Sequence, residues 1–156
     1  IRDCLLSRGL GDVYKRQRDI ADDEIRRAFT SFLAGIPRYK LQMVRTQRER
    51  GFRTYALSNI NDVVFPFVRD VLFTQEGLQL DDYFEKAYLS YEMHALKPSP
   101  EIYRKMIEES GMRPEATLFI DDNAENLHTA QELGFHVYMH RPREDFRFLF
   151  DDGPNR

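Results

Sequence analysis

Apolar positions along this chain alternate between two patterns: stripes at helical spacing and short continuous runs of the kind found in buried strands. Ala21-Asp22-Asp23-Glu24 places three acids in a first helical turn, where negative charge complements the positive end of the helix dipole. Ile25, Phe29, Phe32 and Leu33 then form an apolar stripe, and Gly35 stops the helix. Pro37 suits the first turn of a second helix, which carries a core cluster of Leu41, Met43 and Val44 and ends at Gly51. Residues 53–57 read as a short strand running into Ser58-Asn59. The apolar and aromatic stretch 63–73, with Pro66 early in it, predicts a helix, and 75–80 a loop around Gly77.

The second half repeats the alternation. A strand over 86–89 leads into a loop holding Lys97-Pro98. Ser99 caps a helix with Pro100 at its first position, Ile102, Tyr103, Met106 and Ile107 facing inward, and Gly111 closing it. Residues 117–120 are continuously apolar, as expected of a strand covered on both faces, and end in Asp121-Asp122. A helix follows to Leu133, Gly134 terminates it, and 135–139 is a last strand. The aromatic run 146–150 docks a short helix on the body. Strands alternating with helices specify an α/β fold with a parallel, doubly wound sheet.

Residues 1–17 break the pattern: no Met at the start, two glycines, and apolar residues that keep neither helical nor strand period. They read as a non-native or mobile leader, and 151–156 as a disordered tail. Between them, 18–50 and 51–150 form a helical segment and a core. The 156 residues suffice for one hydrophobic core. Lys plus Arg number 23 and Asp plus Glu 26, a net charge of −3, so no electrostatic footprint for nucleic acid or an anionic membrane is present. The one cysteine, Cys4, cannot form an internal disulfide and fits a reducing compartment, which points to the cytoplasm. No apolar run reaches the ~18 residues of a membrane span.

In open α/β sheets, ligands sit beyond the carboxyl ends of the strands. Three strand ends here offer polar groups: Ser58 and Asn59 after the first, Lys97 beyond the second, Asp121 and Asp122 after the third. Taken singly, each has a bland role. Ser-Asn after a strand caps helices, a lysine is a solvated charge, and adjacent acids opening a helix are dipole partners. Together, a hydroxyl, an ammonium and two carboxylates on one sheet edge suit a phosphate ester held beside Mg²⁺. The carboxylates alone would repel phosphate, whereas with a hard divalent cation they become its ligands. His136, Tyr138 and His140 share one strand face and read as a half-exposed aromatic ladder, since no third ligand is spaced for zinc. His94 and His128 stand alone in the sequence.

The stretches YALSNIND, ALKPSPEIY and TLFIDDNAENLHTAQELGF resemble the second, third and fourth motifs of the haloacid dehalogenase-like (HAD) hydrolases. LDDYFEKAYLSYEM is similar to the subgroup of glucose-1-phosphatase-like enzymes and the phosphatase domain of soluble epoxide hydrolases, and the helical stretch before residue 51 to that subgroup's small cap and return helix. The resemblance implies a three-layer Rossmannoid core with a cap remnant and an Mg²⁺-dependent phosphatase working through an aspartyl-phosphate on a small phosphorylated metabolite such as a sugar phosphate. It implies that Ser58 bonds the transferring phosphoryl group, Asn59 supports the loop and Lys97 offsets developing charge. Asp122 would ligate Mg²⁺ directly, Asp121 would reach it through water, and Asn126 would hold metal-coordinated water.

One departure matters. The family's nucleophile is an aspartate ending a hydrophobic strand, N-terminal to the cap. Upstream of 18–22 the chain offers Asp3 and Asp12, and neither follows a strand-like run. The expectation is that this first, nucleophile-bearing strand is missing from between the 53–57 and 117–121 strands, and that the chain as given is inactive. Removing the nucleophile of a comparable hydrolase costs on the order of 10⁶ in rate. Two other readings stand beside the phosphatase: a 2-haloacid dehalogenase, against which the acid pair argues because that chemistry needs no metal, and a non-catalytic HAD-like binding module.

Overall fold

A computed structural model describes residues 24, 27–28, 30–31, 33, 35–141 and 144–150. Residues 24, 27, 28 and 30 are helical, as the acidic start at 22–24 anticipates, while Ile25, Phe29 and Phe32 of the expected stripe, the 1–17 leader and the 151–156 tail lie outside the described residues. The chain divides into two compact units, 1–34 and 35–156, so the division falls inside the 18–50 segment.

The second unit opens with helix α1 (Arg38–Glu49), preceded by Pro37 at its N-cap, one position earlier than the sequence suggests. Leu41, Met43 and Gln47 are buried, and Val44 is only half-buried. Gly51 follows at φ +91°, a left-handed conformation that lets the chain turn into strand β1 (Tyr55–Ser58). The helix expected over 63–73 is a short α-helical turn, Phe65–Phe67, that widens into a π-helical turn, Val68–Leu72. Carbonyls near the end of that widened turn are met by side chains: Thr74 Oγ1 donates to the Asp70 carbonyl at 2.8 Å and Gln75 Nε2 to that of Leu72 at 2.8 Å. Phe73 then packs on Tyr83 and Phe84, ring centroids 5.7 Å away in each case.

Two short helices were not expected. Helix α2 (Leu80–Tyr83) starts on a capping box, in which the Gln79 N–H donates to Asp82 at 2.6 Å and Leu80 and Tyr83 are buried. Helix α3 (Ser90–Met93) follows directly on strand β2 (Lys86–Leu89). Helix α4 (Pro100–Ser110) has the caps its sequence specifies: Ser99 Oγ accepts from the Glu101 N–H, and Gly111 closes the helix in the left-handed region at φ +63°. Helix α5 (Ala124–Glu132), capped by Asn123, links strands β3 (Leu118–Asp121) and β4 (His136–Met139).

Among the described residues all strand pairing is parallel, in two pairs rather than one continuous sheet. Strand β1 pairs with β2 from Tyr55↔Lys86 to Ser58↔Leu89, and β3 with β4 from Leu118↔His136 to Asp121↔Met139. Among the described residues β1 and β3 are not hydrogen-bonded to each other. The 117–120 run is accordingly not fully covered: Leu118 is 41 % exposed, and Phe119 and Ile120 are half-buried. Among the described residues β3 pairs with β4 alone. Both halves nevertheless pack on α4. Its Ile102, Tyr103 and Met106 form a single core with Tyr88, Met93, Ala130 and Phe135, against which Tyr55, Leu57, Phe119 and Val137 also lie. Beyond β4, Phe146 is buried on Tyr138 and His140, docking the aromatic tail through a 3₁₀ turn, Arg147–Leu149. No helix among the described residues is long and apolar enough to cross a membrane.

Ile102 is fully buried where the two halves meet on α4. Ile102→Ala is expected to lower unfolding free energy by about 2–5 kcal/mol, as cavity-forming substitutions do. Urea denaturation followed by circular dichroism checks this, and a loss under 1 kcal/mol would show that α4 does not join the halves.

Candidate active site

The carboxyl-end edge of the strands carries one connected hydrogen-bond network. It starts at Asn59, just past β1, whose amide makes a two-way pair with the Lys97 backbone. Asn59 Nδ2 donates to the Lys97 carbonyl at 2.8 Å, and the Lys97 N–H donates to Asn59 Oδ1 at 2.8 Å. The loop between α3 and α4 is thereby fixed, and the lysine side chain extends from it to Asp121 at the end of β3. Lys97 Nζ lies 2.7 Å from Asp121 Oδ2, and the two side chains are 12 % and 6 % exposed.

The other oxygen of Asp121 is equally engaged. Asp121 Oδ1 accepts from the Asn123 N–H at 2.9 Å and from Asn126 Nδ2 at 2.9 Å. Asn126 is itself buried, and its carbonyl accepts from the Tyr103 hydroxyl at 3.0 Å, tying the acid to the core helix α4. Burial pushes the Asp121 carboxyl upward, but the Lys97 ammonium, the Asn126 amide and the Asn123 N–H together outweigh it and hold the group below the usual carboxylate range.

Asp122 is different. It is exposed, just beyond the strand, and among the described residues no side chain bonds to it. Successive residues at a strand end point to opposite sides, so the first acid turns into the network and the second outwards. Ser58, the last residue of β1, is half-buried, and no bond to its hydroxyl is formed among the described residues. Of the six positions singled out from sequence, the structure joins Asn59, Lys97, Asp121 and Asn126 in one network and leaves Ser58 and Asp122 with unengaged oxygens at its two ends.

The donor chemistry fits Mg²⁺ in one specific way. Magnesium is held by one or two carboxylates, completed by waters and phosphate oxygens, rather than by an all-protein cage. Among the described residues no cluster of three or more His, Cys, Asp or Glu exists that could form such a cage. Asp122 is the oxygen donor open to an ion, whereas Asp121 has its oxygens committed.

Sequence reasoning passed over three contributors. Asn123 caps α5 through Glu125 and donates its N–H to Asp121, a signal available in the Asp-Asp-Asn opening of the helix. His140 places its N–H 2.9 Å from the Asp121 carbonyl, its ring 4.8 Å from that of Phe146, and its Nε2 2.6 Å from Lys40 Nζ. Burial and the lysine charge lower its pKa, so the imidazole is held neutral and accepts from Lys40. Ser90, buried just past the end of β2, lies within the LDDYFEKAYLSYEM stretch, which assigns it no role. The remaining histidines sit apart: His94 is a left-handed helix cap, His128 faces Glu132, and His136 lies 3.1 Å from the Glu115 carbonyl.

A family model for haloacid dehalogenase-like hydrolases matches residues 5–134, and the chain belongs to that family. Among characterised proteins it is 36% identical over 138 residues to the D-ribitol-5-phosphate phosphatase of Bacteroides thetaiotaomicron, an alignment covering 88% of this chain and 66% of the relative. A crystal structure of a HAD-family enzyme from B. thetaiotaomicron in complex with magnesium and inorganic phosphate superposes with a TM-score of 0.82 at 42% identity, covering 86% of this chain and 67% of that one. A HAD-like hydrolase structure from Porphyromonas gingivalis gives a TM-score of 0.79 at 34% identity, covering 94% of this chain and 71% of that one. The fold is therefore the α/β HAD fold, and the chain spans about two-thirds of the length of its relatives.

The buried pair sets a testable pH dependence. With its pKa depressed in the folded state, Asp121 contributes stability that is present above the ordinary carboxylate value of about 4 and lost as pH falls through the folded value. Lys97→Met removes the ammonium and leaves a buried carboxylate, costing about 3–5 kcal/mol near neutrality. Without the ammonium the groups that favour the carboxylate are fewer while burial persists, so the variant's deficit narrows as its carboxyl protonates between pH 7 and pH 4. Urea denaturation at both values measures it, and an equal deficit at each would contradict the pairing.

Proposed function

We propose that this chain forms the greater part of an Mg²⁺-dependent phosphatase acting on a small phosphorylated metabolite. The observation that carries the reading is the division between the two acids: Asp121 buried against Lys97, Asp122 open beside it. Ser58 donates to a phosphoryl oxygen, and Asn59 fixes the loop. Lys97, anchored by Asp121, presents positive charge where charge builds up on the phosphoryl group. Asp122 is the protein's direct ligand for Mg²⁺, which when bound polarises the phosphoryl group and screens it from the carboxylates. Asn126 acts through Asp121, since its amide is spent on that carboxylate.

The printed activity of the Bacteroides relative supports a sugar or polyol phosphate as the substrate class. An aspartate-to-alanine variant of the HAD-family enzyme from the same organism is also complexed with magnesium and inorganic phosphate. We infer likewise that the chain as given turns over no ester, a reading supported by the sequence, in which neither Asp3 nor Asp12 follows a strand-like apolar run. The acid pair weighs against a metal-free dehalogenase, and the retention of all six site positions weighs against a non-catalytic binding module. The single cysteine fits a reducing compartment, and the reading includes a cytoplasmic protein.

Two measurements test it. Asp122→Asn is expected to weaken Mg²⁺ binding, read by calorimetry, by about tenfold or more, a change of about 1.4 kcal/mol. Fused to the third of the Bacteroides phosphatase that has no counterpart here, the chain is expected to release phosphate from polyol and sugar phosphates only with Mg²⁺, whereas the chain alone releases none. A folded fusion that releases no phosphate, or that frees chloride from a 2-haloacid without metal, overturns the proposal.

A further inference from the structure

The β1–β2 ladder ends at Ser58↔Leu89, and β2 then coils into α3 at Ser90. Past that point the backbone of β2 can no longer hold the loop that follows β1. The Ser90 side chain takes over. Its Oγ donates to the Ile60 carbonyl at 2.8 Å and accepts from the Ile60 N–H at 3.0 Å, so one hydroxyl satisfies both backbone groups of a residue thirty positions earlier. A hydroxyl can do this because it donates and accepts at once. Ser90 is 5% exposed, and among the described residues it bonds none of Ser58, Lys97, Asp121 or Asp122.

The next residue back, Asn59, is held in the same two-way manner on the Lys97 backbone. Two consecutive residues are thus pinned by side chain-to-backbone pairs, one to the end of β2 and one to the Lys97 loop. Immediately before them stands Ser58, whose hydroxyl is left without a bond among the described residues. We infer that Ser90 is a positioning residue for phosphate binding: by clamping Ile60 it sets the direction in which the Ser58 hydroxyl and the adjacent backbone N–H groups meet a phosphoryl oxygen. It acts through the loop and does not touch the ligand. The inference deepens the phosphatase reading and rests on it.

The test uses the full chain with inorganic phosphate and Mg²⁺ as probes. In Ser90→Ala, the Ile60 amide should exchange its proton at least tenfold faster. Phosphate affinity in saturating Mg²⁺, from calorimetry, should fall about tenfold, while Mg²⁺ affinity without phosphate stays unchanged because Asp122, just beyond β3, is not held by Ile60 or Ser90. Ser90→Thr, which keeps the hydroxyl, should restore phosphate affinity. If the Ala variant binds phosphate as the unsubstituted chain does, or if it loses Mg²⁺ affinity to the same extent, Ser90 is a structural residue only and the inference fails. If the Ala variant does not fold, the Thr variant decides: hydroxyl retained without phosphate affinity overturns the role. If the unsubstituted chain binds no phosphate at all, the reading of the whole site fails, and the role given to Ser90 with it.

Discussion

The buried ion pair between Lys97 and Asp121 is the contact on which the site depends. It joins a loop held by the β1 side of the molecule to the end of β3, and among the described residues those two halves share no strand pairing. Taking both charges out of water costs several kcal/mol per ion, and their attraction offsets that cost only where geometry and further hydrogen bonds are supplied. The structure supplies them on each side: Asn59 fixes the backbone from which the lysine extends, while Asn126 and the Asn123 N–H hold the second carboxylate oxygen. Each partner is oriented by groups from a different element, so the pair reports on the arrangement of the entire strand edge.

That pairing also separates the tasks of two adjacent acids. An aspartate whose oxygens accept from an ammonium, a side-chain amide and a backbone N–H has little left to offer a metal ion. Its neighbour, one residue further and outside the strand, is solvated and open. A hard cation that keeps most of its waters needs little more than such a carboxylate and the oxygens of its phosphate ligand. The first acid holds the lysine and the second stays open to solvent, and the strand's alternation suffices to send them different ways.

How much of this could be read beforehand follows from how local each signal is. The 86–89 strand and the helix capped by Ser99 and closed by Gly111 were legible because their boundaries are set by residues within the element. The convergence of Asn59, Lys97 and Asp121 was legible too, since ligand groups gather beyond strand ends in any open α/β sheet. The π-helical widening at 68–72 and the turns at 80–83 and 90–93 were not, because each is shorter than the window over which periodicity can be counted. The exposure of Leu118 escaped for another reason: a continuous apolar run encodes burial, but which side is covered depends on strands elsewhere in the sequence.

Ser90 shows where motif reading stops. A ligand site at a sheet edge must lie past the last rung of the ladder, because only there can a ligand approach backbone N–H groups that no strand already uses. Past that rung, however, the ladder no longer holds the chain in place, and conformational freedom rises at the point where precision is needed. Side chains that bond both the N–H and the C=O of a single residue restore the lost rungs, as Ser90 does at Ile60 and Asn59 at Lys97. Such groups touch no ligand and need no particular sequence neighbours. Which backbone groups they hold becomes visible only when the distances between elements are known.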